Sequence, residues 1–385
     1  MTTATAPAPR LLTGQTVLFL LAVVSATTSF YLLLTVAPLY AVTRLAGQAT
    51  GAGLATAVLM LTTVVAELAA PRVIVRLGRR TTLAISLILL GLPTLILPLS
   101  AHPAAVLGVC GVRGLGFGLA VVIGSAWMAD LVPAARRGEG LGVYGAVVGV
   151  PAIVALPLGV WLVDWIGFGP VFVAGAVTAL AGLIPLLGLP PGYPPAGPAQ
   201  LSVLSGLRSG TLVRPAAVFA TIATAAGILV TFLPLAVVQS TVVAPALLVQ
   251  AGTATFGRWW AGRQDRRGAG RLLVGGAVTA AVGLLGFVLV DRPVAVLVGA
   301  AAFGLGFGVA QNASISLMFR SVPDNAYDTA SAVWNVAYDV GMGVGAAAFG
   351  MLVGITGFPA GFALTAALIP LALLTLQPLR GKERS

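Results

Sequence analysis

Charge is what this sequence has least of. Asp, Glu, Lys and Arg together make up 8% of its 385 residues, against roughly 25% in an ordinary water-soluble domain. So little charge excludes a globule that covers itself with water-compatible surface, and hydrocarbon must be the main solvent. Cysteine is nearly absent too. Cys110 stands alone, which excludes an intrachain disulfide and reads as a small packing residue. Histidine occurs once, at His102, in a segment expected to join two helices, which argues against a histidine metal centre. Lysine occurs once, at Lys382; every other basic residue is arginine, a usage typical of GC-rich coding. No nucleophile–base or metal-ligand constellation stands out, which argues against an enzyme.

What is abundant is apolar. Hydrophobic residues make up 58% of the chain. They gather in runs at about 15–42, 51–71, 81–99, 103–129, 138–163, 168–189, 213–238, 242–262, 271–290, 293–319, 329–354 and 358–378. Each is long enough to cross a hydrocarbon core as a helix, the form that satisfies its own backbone hydrogen bonds. The first run is too long for a signal-peptide core and lacks a cleavage site after it. The formal net charge of +11 is not a nucleic-acid patch, because its arginines lie in short clusters between apolar runs. Arg10, Arg72, Arg136, Arg208, Arg258, Arg263, Arg320, Arg380 and their basic neighbours fall on one side of the expected topology, and only Arg44 and Arg292 on the other. That bias places both termini in the cytoplasm of a bacterial inner membrane.

The chain also repeats itself. Gly-Leu-Gly-Phe-Gly at 114–118 recurs at 304–308, an offset of 190 residues. In the same register His102-Pro103 answers to Arg292-Pro293, Val132-Pro133 to Val322-Pro323, and Arg76-Leu77-Gly78 to Arg266-Arg267-Gly268. The expectation is an all-α membrane protein of twelve transmembrane helices in two pseudo-symmetric six-helix bundles. Residues 1–189 would form one bundle and 213–385 the other, joined by a cytoplasmic linker at 190–212 that opens with the proline-rich stretch Pro190 to Pro198. Parallel repeats of this kind place a substrate path between the halves, which rock to open it to either face.

These residues resemble the major facilitator superfamily over nearly the whole chain. Arg76-Leu77-Gly78-Arg79-Arg80 resembles that family's loop motif after the second helix, and Asp265-Arg266-Arg267-Gly268 its second copy. Ala129-Asp130-Leu131-Val132-Pro133, followed by Arg136-Arg137-Gly138, resembles the end of the family's fourth helix. Asp339-Val340-Gly341 with Gly345 and Gly350 resembles helix 11 of bacterial drug and metabolite exporters, the twelve-helix antiporters that exchange a compound for protons. Two departures stand out: the loop motif's first glycine is Pro71 and its aspartate is Val75. An arginine common in relatives before the glycine run is Cys110 here, with Arg113 one turn later. The resemblance implies that Arg72, Arg76, Gly78, Arg79, Arg80, Asp265, Arg266 and Gly268 belong to gating loops on the cytoplasmic side.

An ionisable side chain in hydrocarbon is a functional candidate by default, because leaving it charged there costs several kcal/mol. Three qualify. Asp339 and Arg113 each lie about ten residues into an expected helix, near mid-membrane, and Glu67 lies roughly a turn from a helix end. Asp339 and Glu67 read as proton-coupling carboxylates; the alternatives are a structural acceptor for Asp339 and an ion pair with the 72–80 arginines for Glu67. Arg113 reads as a cavity charge facing a carboxylate or an anionic substrate, or else as a fixed bridge inside the first bundle. Neutral candidates for the cavity are Gln311, Asn312, Asn335, Tyr31, Trp127, Tyr144, Trp334 and Tyr338, each open to the plainer reading of a packing residue. The adjacent amides Gln311 and Asn312 are the stronger case, since amides in hydrocarbon need partners.

A cavity this poor in hydrogen-bonding groups suits a small lipophilic or amphipathic compound. The leading expectation is proton-coupled, multidrug-type export by a monomer, with the proton gradient in place of any cofactor, and with substrate, protons and lipid as the only partners. An importer or facilitator of the same fold is the first alternative, and a non-transporting receptor or scaffold the second.

Overall fold

The computed structural model describes residues 13–44, 49–100, 102–131, 137–190, 209–264, 268–323 and 327–374. Among them every regular element is helical. In chain order they are α1 (Gly14–Arg44), α2 (Ala49–Leu77), α3 (Arg79–Ile96), α4 (Pro103–Leu131), α5 (Arg137–Ile166), α6 (Phe168–Leu186), α7 (Gly210–Ala236), α8 (Ser240–Gln264), α9 (Ala269–Leu289) and α10 (Pro293–Arg320). The final helical stretch, Tyr327–Leu373, breaks at Gly357, where φ is 75°. It is therefore two helices, α11 (327–356) and α12 (358–373).

Ten helical stretches are long and apolar enough to cross a membrane, counting Thr329–Leu373 as one. The break at Gly357 adds one pass. α8 adds the other: its 25 residues reach about 37 Å at 1.5 Å per residue, but Gln250, Arg258, Arg263 and Gln264 make it more polar than the rest. The described helices are thus compatible with the twelve the sequence predicts. Lipid as solvent explains the outer surface, where Ile355 is 88% and Leu99 87% exposed. Exposed apolar area on this scale has no counterpart on a water-soluble monomer.

The boundaries differ from expectation in informative places. α2 runs past the expected end at 71 to Leu77, so Arg72 and Arg76 stand on helix rather than in a loop, and Arg79 and Arg80 already belong to α3. Pro71 interrupts nothing visible, since α2 continues through it. The loop motif shrinks to Gly78. α7 begins at Gly210 rather than 213; most of the expected linker, with Asp265 and Arg266 of the second motif copy, lies outside the described residues.

The duplication is plain in the backbone. Four glycines have positive φ: Gly78 (77°), Gly167 (78°), Gly268 (101°) and Gly357 (75°). They form two pairs at an offset of 190, each at a helix start where a side chain would strain the turn. Side-chain packing repeats as well. A Cβ on Gly114 would collide with the Leu59 carbonyl oxygen and Thr62 Oγ1 of α2, and one on Gly304 with the Gln250 carbonyl oxygen and Thr253 Oγ1 of α8. Gly118 meets the Thr63 carbonyl, and Gly308 the Ala254 carbonyl. Gly116 packs on Ser86 of α3 as Gly306 packs on Gly276 and Ala280 of α9. Glycine there lets two backbones touch where hydrocarbon supplies no hydrophobic force between helices. These contacts also fix a register: α8 follows α2 at an offset of 191.

The halves meet along two seams, α2 against α11 and α5 against α8, with α7 touching α2. Toward the arginine-poor face the first seam is tight. Thr50 donates to the Gly350 carbonyl at 3.2 Å, a Cβ on Gly53 would strike the Ala346 carbonyl oxygen, and the hydroxyls of Thr56 and Thr231 are 2.8 Å apart. There α2 is held against both α11 and α7.

Overpacking a site of this kind costs about 1–3 kcal/mol. Gly116→Val and Gly306→Val should each lower the midpoint of thermal unfolding in detergent by several degrees, read by size exclusion after heating. Gly145→Ala is the control: nothing lies within 4 Å of a Cβ there, so its midpoint should not move.

Candidate functional site

Two buried carboxyl groups from different halves touch. The side chains of Glu67 on α2 and Asp339 on α11 lie close enough to share a hydrogen bond, and their residues are 8% and 4% exposed. Small residues make the contact reachable. A Cβ on Gly343 would lie 3.0 Å from the Met60 Cβ, so α11 lies close on α2, and Gly118 of α4 packs against α2 from another side. A short aspartate side chain can then reach across the seam. Both partners are acceptors when ionised, so this hydrogen bond requires a proton on one of them. The second oxygen of Glu67, Oε2, has no partner among the described residues.

Around this pair stand phenols and one cation. Tyr31 of α1 and Tyr338 of α11 lie within electrostatic range of both Asp339 and Arg258, and Tyr144 of α5 within range of Tyr31. All three tyrosines and Arg258 are half-buried. Tyr338 and Trp334 stack on Phe219 of α7, with ring centres 5.9 and 4.7 Å away, and Trp334 Nε1 donates to Ser314 Oγ at 2.9 Å. The result is a flat aromatic layer between α7, α10 and α11. Gln311 Oε1 and Asn312 Oδ1 of α10 are buried with no partner among the described residues. The Asn312 amide faces α8, 3.6 Å from where a Gly262 Cβ would be. Asn335 is half-buried on α11.

Two expected cavity residues lie elsewhere. Arg113 is 2% exposed and donates to the Leu90 carbonyl of α3 and, at 3.1 Å, to the Ser29 carbonyl of α1. It ties three helices of the first bundle together, the bundle-internal role weighed for it, though through backbone carbonyls rather than a carboxylate. Trp127 is 4% exposed, packed on Phe19 at 5.3 Å in the same bundle. Of the motif arginines, Arg72, Arg76 and Arg80 lie near the α2–α3 corner around Gly78, and Gly268 starts α9.

One residue that sequence analysis passes over is Arg258. It lies inside the expected run at 242–262 and counts there only as one of the cytoplasmic-side arginines; it stands six residues before the end of α8 at Gln264, about 9 Å into the helix. The signal that finds it is the repeat register: 258 is 67 plus the α2–α8 offset of 191, so Arg258 is the second half's copy of Glu67.

With this geometry in place, the comparisons become specific. Residues 18–346 and again 236–385 match the family model described as Major Facilitator Superfamily. The fold is similar to the nucleoside transporter NupG (TM-score 0.72, 14% identity, 94% of this chain and 99% of that one). It is similar to the xylose transporter XylE from E. coli in an inward-open conformation (0.71, 16%, 94% and 94%). It also resembles a POT family transporter in complex with 5-aminolevulinic acid (0.77, 12%, 94% and 96%). At these identities the likeness concerns the fold alone. No curated protein sequence matches significantly.

The placement of Arg113 makes a prediction. Arg113→Gln would strip donors from two buried carbonyls, at about 1–3 kcal/mol for each group left unpaired. Its unfolding midpoint should fall clearly below wild type while substrate Kd stays within about twofold. A large loss of affinity at unchanged stability would put the guanidinium in the cavity instead.

Proposed function

Because this chain belongs to the major facilitator superfamily, we propose that it is a secondary active transporter that exchanges protons for a small lipophilic or amphipathic compound carried outward by alternating access. One observation carries the coupling: the Glu67–Asp339 contact. While α2 and α11 are together at this point, the pair holds a proton. When it gives the proton up, two carboxylates in contact repel each other, at a cost that low dielectric enlarges. Proton occupancy is then tied to the relative position of the halves, which is what an exchanger requires. The titratable groups that bear on the pair are Tyr31 and Tyr338, which lie in turn within electrostatic range of Arg258.

The groups between the halves support the substrate class. The half-buried ones are three phenols, one indole, one arginine and three amides, a set that joins flat aromatic faces to a few polar groups and so suits an amphipathic compound. The arginine bias supports insertion in a bacterial cytoplasmic membrane with both termini inside. A monomer suffices, since one chain supplies both halves, and the proton gradient is the only energy source required.

Proteoliposomes with an imposed pH gradient test the reading. Glu67→Gln, Asp339→Asn and the double variant should each lose at least tenfold of gradient-driven transport while keeping substrate exchange without a gradient. Undiminished gradient dependence in the double variant would sink the proposal. Direction is read in cells: the exporter lowers accumulation of the compound, and a rise would make the protein an importer.

A further inference from the structure

The two seams between the halves are copies of each other with different contents. α5 and α11 begin at Arg137 and Tyr327 and end before Gly167 and Gly357, both at an offset of 190. In that register the copy of Asp339 is Gly149. The copy of Glu67 is Arg258. The structure keeps the copied pair together: a Cβ on Gly149 would lie 4.0 Å from Arg258 Nη2. Where one seam sets a carboxyl against a carboxyl, the other sets a guanidinium against a residue with no side chain.

Arg258 is therefore a cation with its place for a partner left open. Among the described residues it has no carboxylate at ion-pair distance and no ring beneath it. Arg263, five residues on, differs: its guanidinium lies over the Trp259 ring at 3.9 Å. Arg258 instead lies within electrostatic range of the Tyr31 phenol of α1 and the Tyr338 phenol of α11. A half-buried charge at membrane depth is costly to keep without a counter-charge. Its forked donors match a carboxylate in two parallel hydrogen bonds. Tyr338 in turn stacks with Trp334 over the buried Phe219, so an aromatic layer begins at one of the phenols near the cation.

We propose that Arg258 is the specificity-determining residue of the cavity, and that the substrate is an amphipathic organic acid whose carboxylate sits in the gap left by Gly149 and whose apolar body lies on the aromatic layer. This deepens the transporter reading and rests on it only in taking the cavity as the substrate path. The acid pair on the opposite seam repels a second negative charge, so monoanions are favoured over dianions.

Isothermal titration of the full-length protein in detergent, at pH 7.5 and with no gradient, tests this with three matched probes: 2-naphthylacetic acid, 2-naphthylacetamide and 2-(2-naphthyl)ethylamine. Wild type should bind the acid at least about tenfold more tightly than the amide, and the amine most weakly. Arg258→Gln should bring acid binding down to the level of the amide, and Arg258→Lys should keep part of the preference. Gly149→Asp should have the same effect as Arg258→Gln with the arginine still present, because the new carboxylate occupies the gap. Wild type that binds the acid no better than the amide, including no measurable binding of either, overturns the proposal. So does an acid preference that survives in Arg258→Gln, or, should that variant not fold, in Gly149→Asp. The proton-coupling reading fails on the gradient assay and this one on the binding assay, so the two fail separately.

Discussion

Water is missing from the middle of this protein, and most of its architecture follows from that. A backbone amide or a charged side chain in hydrocarbon has no solvent to fall back on. Every described span is therefore helical, and each ionisable group at depth has to be accounted for individually. Arg113 is accounted for by two backbone carbonyls. Glu67 and Asp339 are accounted for by each other. Arg258 is the one left over among the four. Where sequence puts so few charges in a membrane interior, an unbalanced one carries more meaning than it would on a wet surface.

The second constraint is close approach. Hydrocarbon gives helices no hydrophobic reason to associate, so they hold by contact between backbones at small residues. The glycines of α4 and α10 do this in duplicate, and the same device at Gly53, Gly343 and Gly350 brings α11 onto α2. That seam does two jobs at once. It packs tightly toward the arginine-poor face at Thr50 and Gly53, and deeper in it sets two carboxyl groups side by side. Tight packing and the acid pair thus lie along one helix pair, so a movement of α11 on α2 changes both.

The fold was legible because its signals are long-range and redundant: apolar runs of membrane length, arginine on one side, and a repeat that keeps its offset of 190 across helices and loops. Asp339 and Glu67 were legible as lone acids in apolar runs, but their contact was not, since nothing in a sequence says which two helices cross at which residue. Trp127 and Arg113 show the limit from the other side. Composition marks a polar or aromatic residue as unusual in a span, whereas only packing decides whether it faces a cavity or, like Trp127 on Phe19, the inside of its own bundle. Arg258 was missed for a third reason. It lies inside the run at 242–262, but near its arginine-rich end, where a cation counts toward the positive-inside bias rather than as a charge at depth.

Duplication makes that last error instructive. In a chain built from two copies of one bundle, a position gains a second description, namely what stands at the equivalent place in the other half. A perfect duplicate would carry the acid pair twice and treat both seams alike. This chain keeps the carboxyl pair in one seam and replaces it in the other with an arginine facing a glycine. The scaffold is symmetric and its charge is not: one seam carries two carboxyl groups and the other a lone cation. On the proposed mechanism, proton and ligand meet opposite seams, and the coupling between them is a free energy carried by the relative position of the halves rather than by direct contact.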